Sequence, residues 1–243
     1  MDNLVKVDFH IHSNFSDGMF SPEILADELT VAKVEYAALT DHDNIDGLQR
    51  FTSAAEAQKI NCINGVEISA GKEDAIYHLL AYGFNIMHHS LHRELARNYK
   101  HLHPTIYALL DKAKSLLYHF SGKDLPQASC LISVEDALAL IHDAGGCAFL
   151  AHPLTCYHSD EQFCSLILEL KEQGLDGMEV YYKQYSSQQM QMLLDKADKY
   201  GLITSAGSDF HGDIQPRLMN PGILISRERL EQFYKVLAQT DRD

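Results

Sequence analysis

Apolar residues fall in short runs separated by longer stretches where they recur every three or four positions, so the chain predicts strands alternating with amphipathic helices. Strands are expected at 5–10, 36–40, 62–68, 77–83, 147–151, 177–182, 203–206 and 222–225. Several helix starts are marked as well. Ser21 before Pro22 offers a capping hydroxyl and a residue whose fixed φ suits a first turn, opening a helix expected to run to about Val34. Ser133 with Asp136, and Ser186 with Gln189, have the spacing of capping boxes or close variants, and apolar periodicity follows each pair. Alternation of this kind is the pattern of an α/β protein built on a parallel sheet or barrel. One region is irregular. At 85–131 a helical stretch from about Ser90 meets Pro104, which is expected to interrupt it, and then trails into Ser121-Gly122-Lys123-Asp124-Leu125-Pro126. It reads as an insertion covering the site, within one domain spanning 1–243, because no repeat, low-complexity tract or linker divides the rest.

Composition narrows the class. A chain of 243 residues, 46% hydrophobic and 22% charged, can bury a full core, and no apolar run approaches the roughly 20 residues of a membrane span. Met1-Asp2-Asn3-Leu4 lacks the basic and apolar segments of a signal peptide, so a cytoplasmic protein without a membrane partner is expected. The five cysteines, Cys62, Cys130, Cys147, Cys156 and Cys164, are odd in number and form no Cys-x-x-Cys pair, which argues for reduced thiols, with Cys147 a small core residue. A net charge of −14 disfavours long nucleic acid, and no basic tract interleaved with aromatics offers a single-strand platform. Fourteen histidines are many for this length, and their placement beside carboxylates at the ends of apolar runs carries the chemistry.

The first strand closes on His10-Ile11-His12, whose two-residue spacing puts both imidazoles on one face of an extended chain. Ser16-Asp17-Gly18 follows as a turn. Later strand ends carry Thr40-Asp41-His42-Asp43, Gly65-Val66-Glu67-Ile68-Ser69, His78, Ala151-His152-Pro153 and Gly207-Ser208-Asp209-Phe210-His211-Gly212. In βα architectures the carboxyl ends of strands converge, so these groups are expected to meet at one mouth. Unpaired carboxylates crowded together would take up protons, whereas divalent cations hold them ionised beside neutral histidines. Mixed imidazole and carboxylate donors without cysteine suit Mn2+, Fe2+ or Zn2+.

Leaving the single His78 aside, these six motifs, in this order over residues 7–212, resemble the polymerase and histidinol phosphatase (PHP) superfamily, and are most similar to its stand-alone phosphoesterases, which include nucleotide phosphatases and exonucleases on short oligonucleotides. The resemblance implies a distorted seven-stranded βα barrel, TIM-like in form, with two or three metals. It implies one ion held by His10, His12, Glu67 and Asp209, a second by the bridging Glu67 with His78 and His152, and a third by Asp17, His42 and His211. Asp41 and Asp43 then look like groups behind the ligands, although Asp41 could approach the metals. Glu67, Asp209, His211 and Asp41 are taken as the catalytic set. The expected activity is hydrolysis of small phosphomonoesters by a metal-activated water.

Phosphate recognition commonly also needs a guanidinium, and Arg217, six residues past His211, is the best-placed candidate; Arg93 and Arg97 are weaker, being spaced like the wet face of a helix. Two departures from the family bear on substrate choice: the segment between His78 and His152 is short, and Tyr185 stands where relatives often carry histidine. His88, His89, His92, His101 and His103 read as a polar lid rather than a further metal site. Three rival readings remain: a 5′-3′ exonuclease on short oligonucleotides, a metal amidohydrolase, which predicts a bridging lysine where this chain has Glu67 or His78, and a non-catalytic barrel, which predicts lost ligands.

Overall fold

The computed structural model describes residues 3–113, 128–155, 159–212 and 220–240. Its strands are β1 (Leu4–Ile11), β2 (Tyr36–Leu39), β3 (Asn61–Lys72), β4 (Ala75–Tyr82), β5 (Ile132–Ser133), β6 (Cys147–Leu150), β7 (Gly177–Tyr182), β8 (Ile203–Gly207) and β9 (Ile223–Ser226). The helices are α1 (Pro22–Val31), α2 (Leu48–Ala57), α3 (His89–Ala113), α4 (Val134–Asp143), α5 (Asp160–Glu172), α6 (Ser187–Tyr200) and α7 (Arg227–Thr240). All eight expected strands form, and the expected caps close: Ser133 Oγ accepts from Asp136 N at 3.0 Å, and Ser186 with Gln189 makes a complete capping box on α6. Gly201, at φ 63°, ends α6 in the left-handed turn that glycine adopts without strain.

Eight strands run in the order β8-β7-β6-β4-β3-β2-β1-β9, and the two ends of this path come together. The first half of β1, Leu4 to Val7, pairs with β9. Beyond it, the segment leaving β8 takes over the same edge: Asp209 N–H donates to His10 O at 2.8 Å and His12 N–H to Phe210 O at 2.9 Å. The sheet therefore curls into a nearly closed barrel, with β5 added alongside β3.

The uniformly parallel sheet suggested by the strand–helix alternation needs correction. β4 runs antiparallel between β3 and β6, and β9 antiparallel to β1. Only Glu73 and Asp74 separate β3 from β4, which is enough for a hairpin and too short for a parallel crossover. A second correction concerns Pro104, which does not interrupt α3. Leu91, Leu95 and Leu102 are buried on one face, and this docking outweighs the single backbone hydrogen bond that a proline removes.

Two packed layers position the mouth. Val5, Val7 and Phe9 of β1 join Leu80, Tyr82 and Phe149 in one cluster, to which α7 adds Leu230 and Phe233; Phe233 stacks on Phe9 at 4.5 Å. Leu25, Leu29 and Phe51 of the outer helices pack on Ile11, Val66 and Ile68 in the other. The register of β1 on β2 shifts between Asp8 and Ile11, so Ile11 joins the outer layer while His10 and His12 turn to the mouth.

Candidate metal centre

Three of the side chains at the mouth are presented by an uncommon backbone conformation. Asp43, His152 and Asp209, each just past a strand, have φ of 48°, 28° and 56°. Non-glycine residues in this region are sparse, Asp and His being among the better tolerated. Each is pinned by its own N–H: Asp43 to Glu67 O at 2.9 Å, His152 to Glu179 Oε2 at 2.7 Å, and Asp209 to His10 O at 2.8 Å.

Glu67 lies at the middle of the cluster and is wholly buried. Its Oε2 stands 2.9 Å from His10 Nε2, 3.1 Å from His12 Nε2 and 3.4 Å from His42 Nδ1. Its Oε1 stands 3.0 Å from His78 Nδ1 and 3.1 Å from His152 Nε2. Asp209 Oδ1 lies 3.4 Å from His10 Nε2 and 3.2 Å from His12 Nε2, while Asp17 lies 3.1 Å from His211 Nε2 and 3.9 Å from His42 Nε2. Among the described residues, three groups could each surround one ion: His10, His12, Glu67 and Asp209; His42, Glu67 and His78; and His12, Asp17, His42 and His211. His152, expected beside His78, is 3.4 Å from it.

Three of the imidazoles have their Nδ1 engaged outside the cluster. His10 Nδ1–H donates to Glu179 Oε1 at 3.0 Å and His211 Nδ1–H to Asp209 O at 2.9 Å. His152 Nδ1–H donates to Thr155 Oγ1 at 3.1 Å, whose own proton goes to His152 O. In each case the acceptor holds the Nδ1 proton and turns Nε2 toward the carboxylates, where it would ligate a metal in place of its proton.

The electrostatics agree. Burial would raise Glu67, but the imidazoles of His42, His10 and His78 hold it well below the carboxylate range; Asp209 is likewise held down by His10 and His12 against its burial. Burial lowers His12, yet hydrogen bonds to Asp209 and Glu67 raise it to about 10. Burial outweighs Glu67 and Asp17 at His42 and pushes it down to about 3, so that ring is neutral. Protons on histidine thus balance ionised carboxylates, a balance that divalent cations would supply equally well. His12 Nε2 and His42 Nδ1 are buried and lie 3.1–3.4 Å from carboxylate oxygens without the alignment of a good hydrogen bond, nitrogens whose lone pairs an ion between them would take. The donor set fits divalent metal.

The expected groups are therefore brought together, with exceptions. Asp41 has Oδ1 accepting from Ser13 N and Ser16 Oγ at 2.6 and 2.7 Å, and Oδ2 accepting from Ser13 Oγ at 2.6 Å, so it shapes the loop before Asp17 and does not turn to the cluster. Arg217 lies outside the described residues. Arg93 and Arg97 are exposed and pair with Glu94. Tyr185 uses its hydroxyl to accept from Leu154 N at 2.9 Å, steadying the turn after His152. His88 pairs with Asp143 at 3.3 Å, and the lid histidines form no candidate metal group among the described residues.

Four contributors were not singled out from sequence. Glu179 is described above. Tyr182 donates to Asp209 Oδ2 at 2.8 Å, leaving Oδ1 to the histidines. Asp8 accepts from Ser208 and Gly222 beneath Asp209. Asn98 ties α3 to Asp43 Oδ1 at 3.0 Å and Ser69 O at 2.7 Å. A glutamate inside the apolar run Gly177–Tyr182 and an asparagine within the apolar face of α3 were the available signals.

Comparison with known proteins places this arrangement. A family model described as the PHP domain matches residues 8–138, rather more than half the chain. A 5′-3′ exoribonuclease from Haemophilus influenzae is 30% identical over 250 residues, covering 85% of this chain and 90% of that relative. A 3′,5′-nucleoside bisphosphate phosphatase from Chromobacterium violaceum is 26% identical, covering 86% and 88%. Among solved structures, an amidohydrolase from Chromobacterium violaceum, with bound sulfate and no metal, is alike in fold, with a TM-score of 0.75, 24% identity and coverage of 93% of this chain and 96% of that one.

Proposed function

The chain belongs to the PHP domain family, and on that premise we propose that it is a metal-dependent phosphoesterase hydrolysing small, nucleotide-like phosphomonoesters. The observation that carries this reading is Glu67, one buried carboxylate whose two oxygens face two different sets of imidazoles. Such a carboxylate would be shared between two cations. His10, His12 and Asp209 would hold the first with it, His78 and His152 the second, and Asp17, His42 and His211 a third. Two or three divalent ions of the Mn2+, Fe2+ or Zn2+ kind, when bound, supply the Lewis acidity that makes phosphorus electrophilic and water nucleophilic.

The chain's own residues set up that chemistry. The Nδ1 protons of His10, His152 and His211 are held by Glu179, Thr155 and the Asp209 carbonyl, so each ring presents Nε2 in a fixed direction. Tyr182 keeps Asp209 Oδ2 occupied and orients Oδ1 inward. Asp41 steadies Ser13 and Ser16 and so places Asp17 at the open side of the cluster. A glutamate at the centre, in place of lysine, separates this site from the metal amidohydrolase reading. All nine expected ligand positions are filled, which separates it from a decayed barrel.

Small substrates are favoured by the net charge of −14, which repels extended polyanions except at the cations themselves. Hydrolysis from the 5′ end of short oligonucleotides is the second reading, favoured by the 30% identical exoribonuclease. No helix among the described residues is long and apolar enough to cross a membrane. The test is to strip the protein with chelator, reload it with each ion, and offer a nucleoside bisphosphate, a nucleoside monophosphate, an aryl phosphate and a 5′-phosphorylated trinucleotide. Metal-dependent phosphate release from the small esters is expected. Stepwise mononucleotide release with no free phosphate would favour the exonuclease. Inertness toward all four would overturn the phosphoesterase reading.

A further inference from the structure

Glu179 belongs to none of the three candidate metal groups, yet it is completely buried between Met178 and Val180, where an ionised carboxylate is costly unless its oxygens are satisfied. Both are. Oε1 accepts the Nδ1 proton of His10 at 3.0 Å and Oε2 accepts the backbone N–H of His152 at 2.7 Å. β7 lies between β6 and β8, so from one position the side chain reaches His152, past the end of β6, and His10, on β1 across the barrel seam. The contact depends on Gly207, where a Cβ would lie 2.2 Å from His10 Cβ and 2.7 Å from Glu179 Oε1.

We infer that Glu179 is a positioning carboxylate coupling the two ion sites that share Glu67. One of its oxygens sets the tautomer of His10, turning Nε2 to Glu67 and Asp209. The other holds the His152 backbone in its left-handed conformation, so that Nε2 of that ring meets Glu67 and His78. Loss of Glu179 should thus weaken both ions together, unlike loss of Thr155, whose hydroxyl meets the ring and carbonyl of His152 and not His10. The inference rests on the reading of these histidines as metal ligands.

The test compares wild type, Glu179→Gln and Thr155→Val by metal titration and elemental analysis with Zn2+ and Mn2+, with circular dichroism reporting the fold. A glutamine has one carbonyl oxygen for two donors and must turn its NH2 on one of them. Glu179→Gln is expected to lower affinity at both Glu67-linked ions by about 10–100-fold, and Thr155→Val at one. In the Zn2+-loaded wild type, a slowly exchanging Nδ1 proton of His10, assigned by its absence in His10→Gln, is expected by NMR and should shift or vanish in Glu179→Gln. Wild-type affinities in a folded Glu179→Gln would overturn the inference while leaving the phosphoesterase reading intact. Should that variant fail to fold, the wild-type spectrum decides: no such Nδ1 proton overturns the coupling. Wild-type protein that binds no ion would overturn the metal reading itself.

Discussion

The mouth of the barrel is built from residues held where most side chains do not go. The left-handed backbone of Asp43, His152 and Asp209 costs about 1–3 kcal/mol at each position, and the hydrogen bonds from their N–H groups offset it while aiming His152 and Asp209 at the cluster and Asp43 at Ser69 and Asn98 behind it. Gly207 is the small-residue counterpart: Gly207→Ala should push His10 and Glu179 apart, lowering stability by about 1–3 kcal/mol in urea unfolding and lowering metal affinity with it. A pair outside the site gives a pH signature. The hydrogen bond from His142 to Asp176, 2.9 Å long, raises His142 above its ordinary value of 6.5 against partial burial. A raised folded-state value means that stability from this pair is complete below pH 6.5 and is lost as pH rises through the folded value. Asp176→Asn should therefore cost about 0.5 kcal/mol more at pH 6 than at pH 10, the size reflecting a pair this exposed to water, since the Ala148 N–H that shares Asp176 Oδ2 at 2.8 Å weighs equally at both; paired thermal melts at the two pH values measure the difference. At this scale the sequence was readable where chemistry sits at strand ends, from His10 to His211. It was silent on Glu179 and Asn98, whose roles come from partners 169 and 55 residues away.

Elements carry a different message. Periodicity located every strand of the barrel except the two-residue β5, because alternation of apolar residues depends on burial, but burial has no direction. The antiparallel course of β4 was visible only in the two-residue link Glu73-Asp74. Pro104 misled because a proline is weighed against local helix propensity, whereas α3 is held by its docked face. Within that face, the Asn98 side chain donates to Asp43 and Ser69 O and accepts from Ile132 N at 3.2 Å, joining the inserted helix to the loop that bears His42 and to β5. Asn98→Leu preserves volume but strands a buried carbonyl and a buried N–H. We expect a loss of roughly 2–4 kcal/mol in chemical denaturation, and faster amide exchange along α3 than along α1.

Closure of the barrel brings the distant ends of the chain to one site. Asp8 does this beneath Asp209: Oδ1 accepts from Ser208 N at 2.9 Å, and Oδ2 from Ser208 Oγ and Gly222 N, both at 2.6 Å, locking β1 to the segments that leave β8 and enter β9. Asp8→Ala leaves those donors buried and unmet, and is expected to cost about 3 kcal/mol, lowering the melting temperature by roughly 6–12 °C. The overall architecture was legible because six polar motifs at strand ends make sense only if those ends converge. The seam was not, since β9 and the Asp209 segment share one edge of β1 through backbone bonds that leave no mark on residue type. The central claim is that Glu67 joins two ions into one phosphoester-cleaving centre, and the most direct measurement is Mn2+-dependent phosphate release by wild type and Glu67→Ala, with bound metal counted in both. The account predicts that the variant loses metal and that its turnover falls more than about 100-fold. Phosphate release by Glu67→Ala at the wild-type rate and metal content would contradict it.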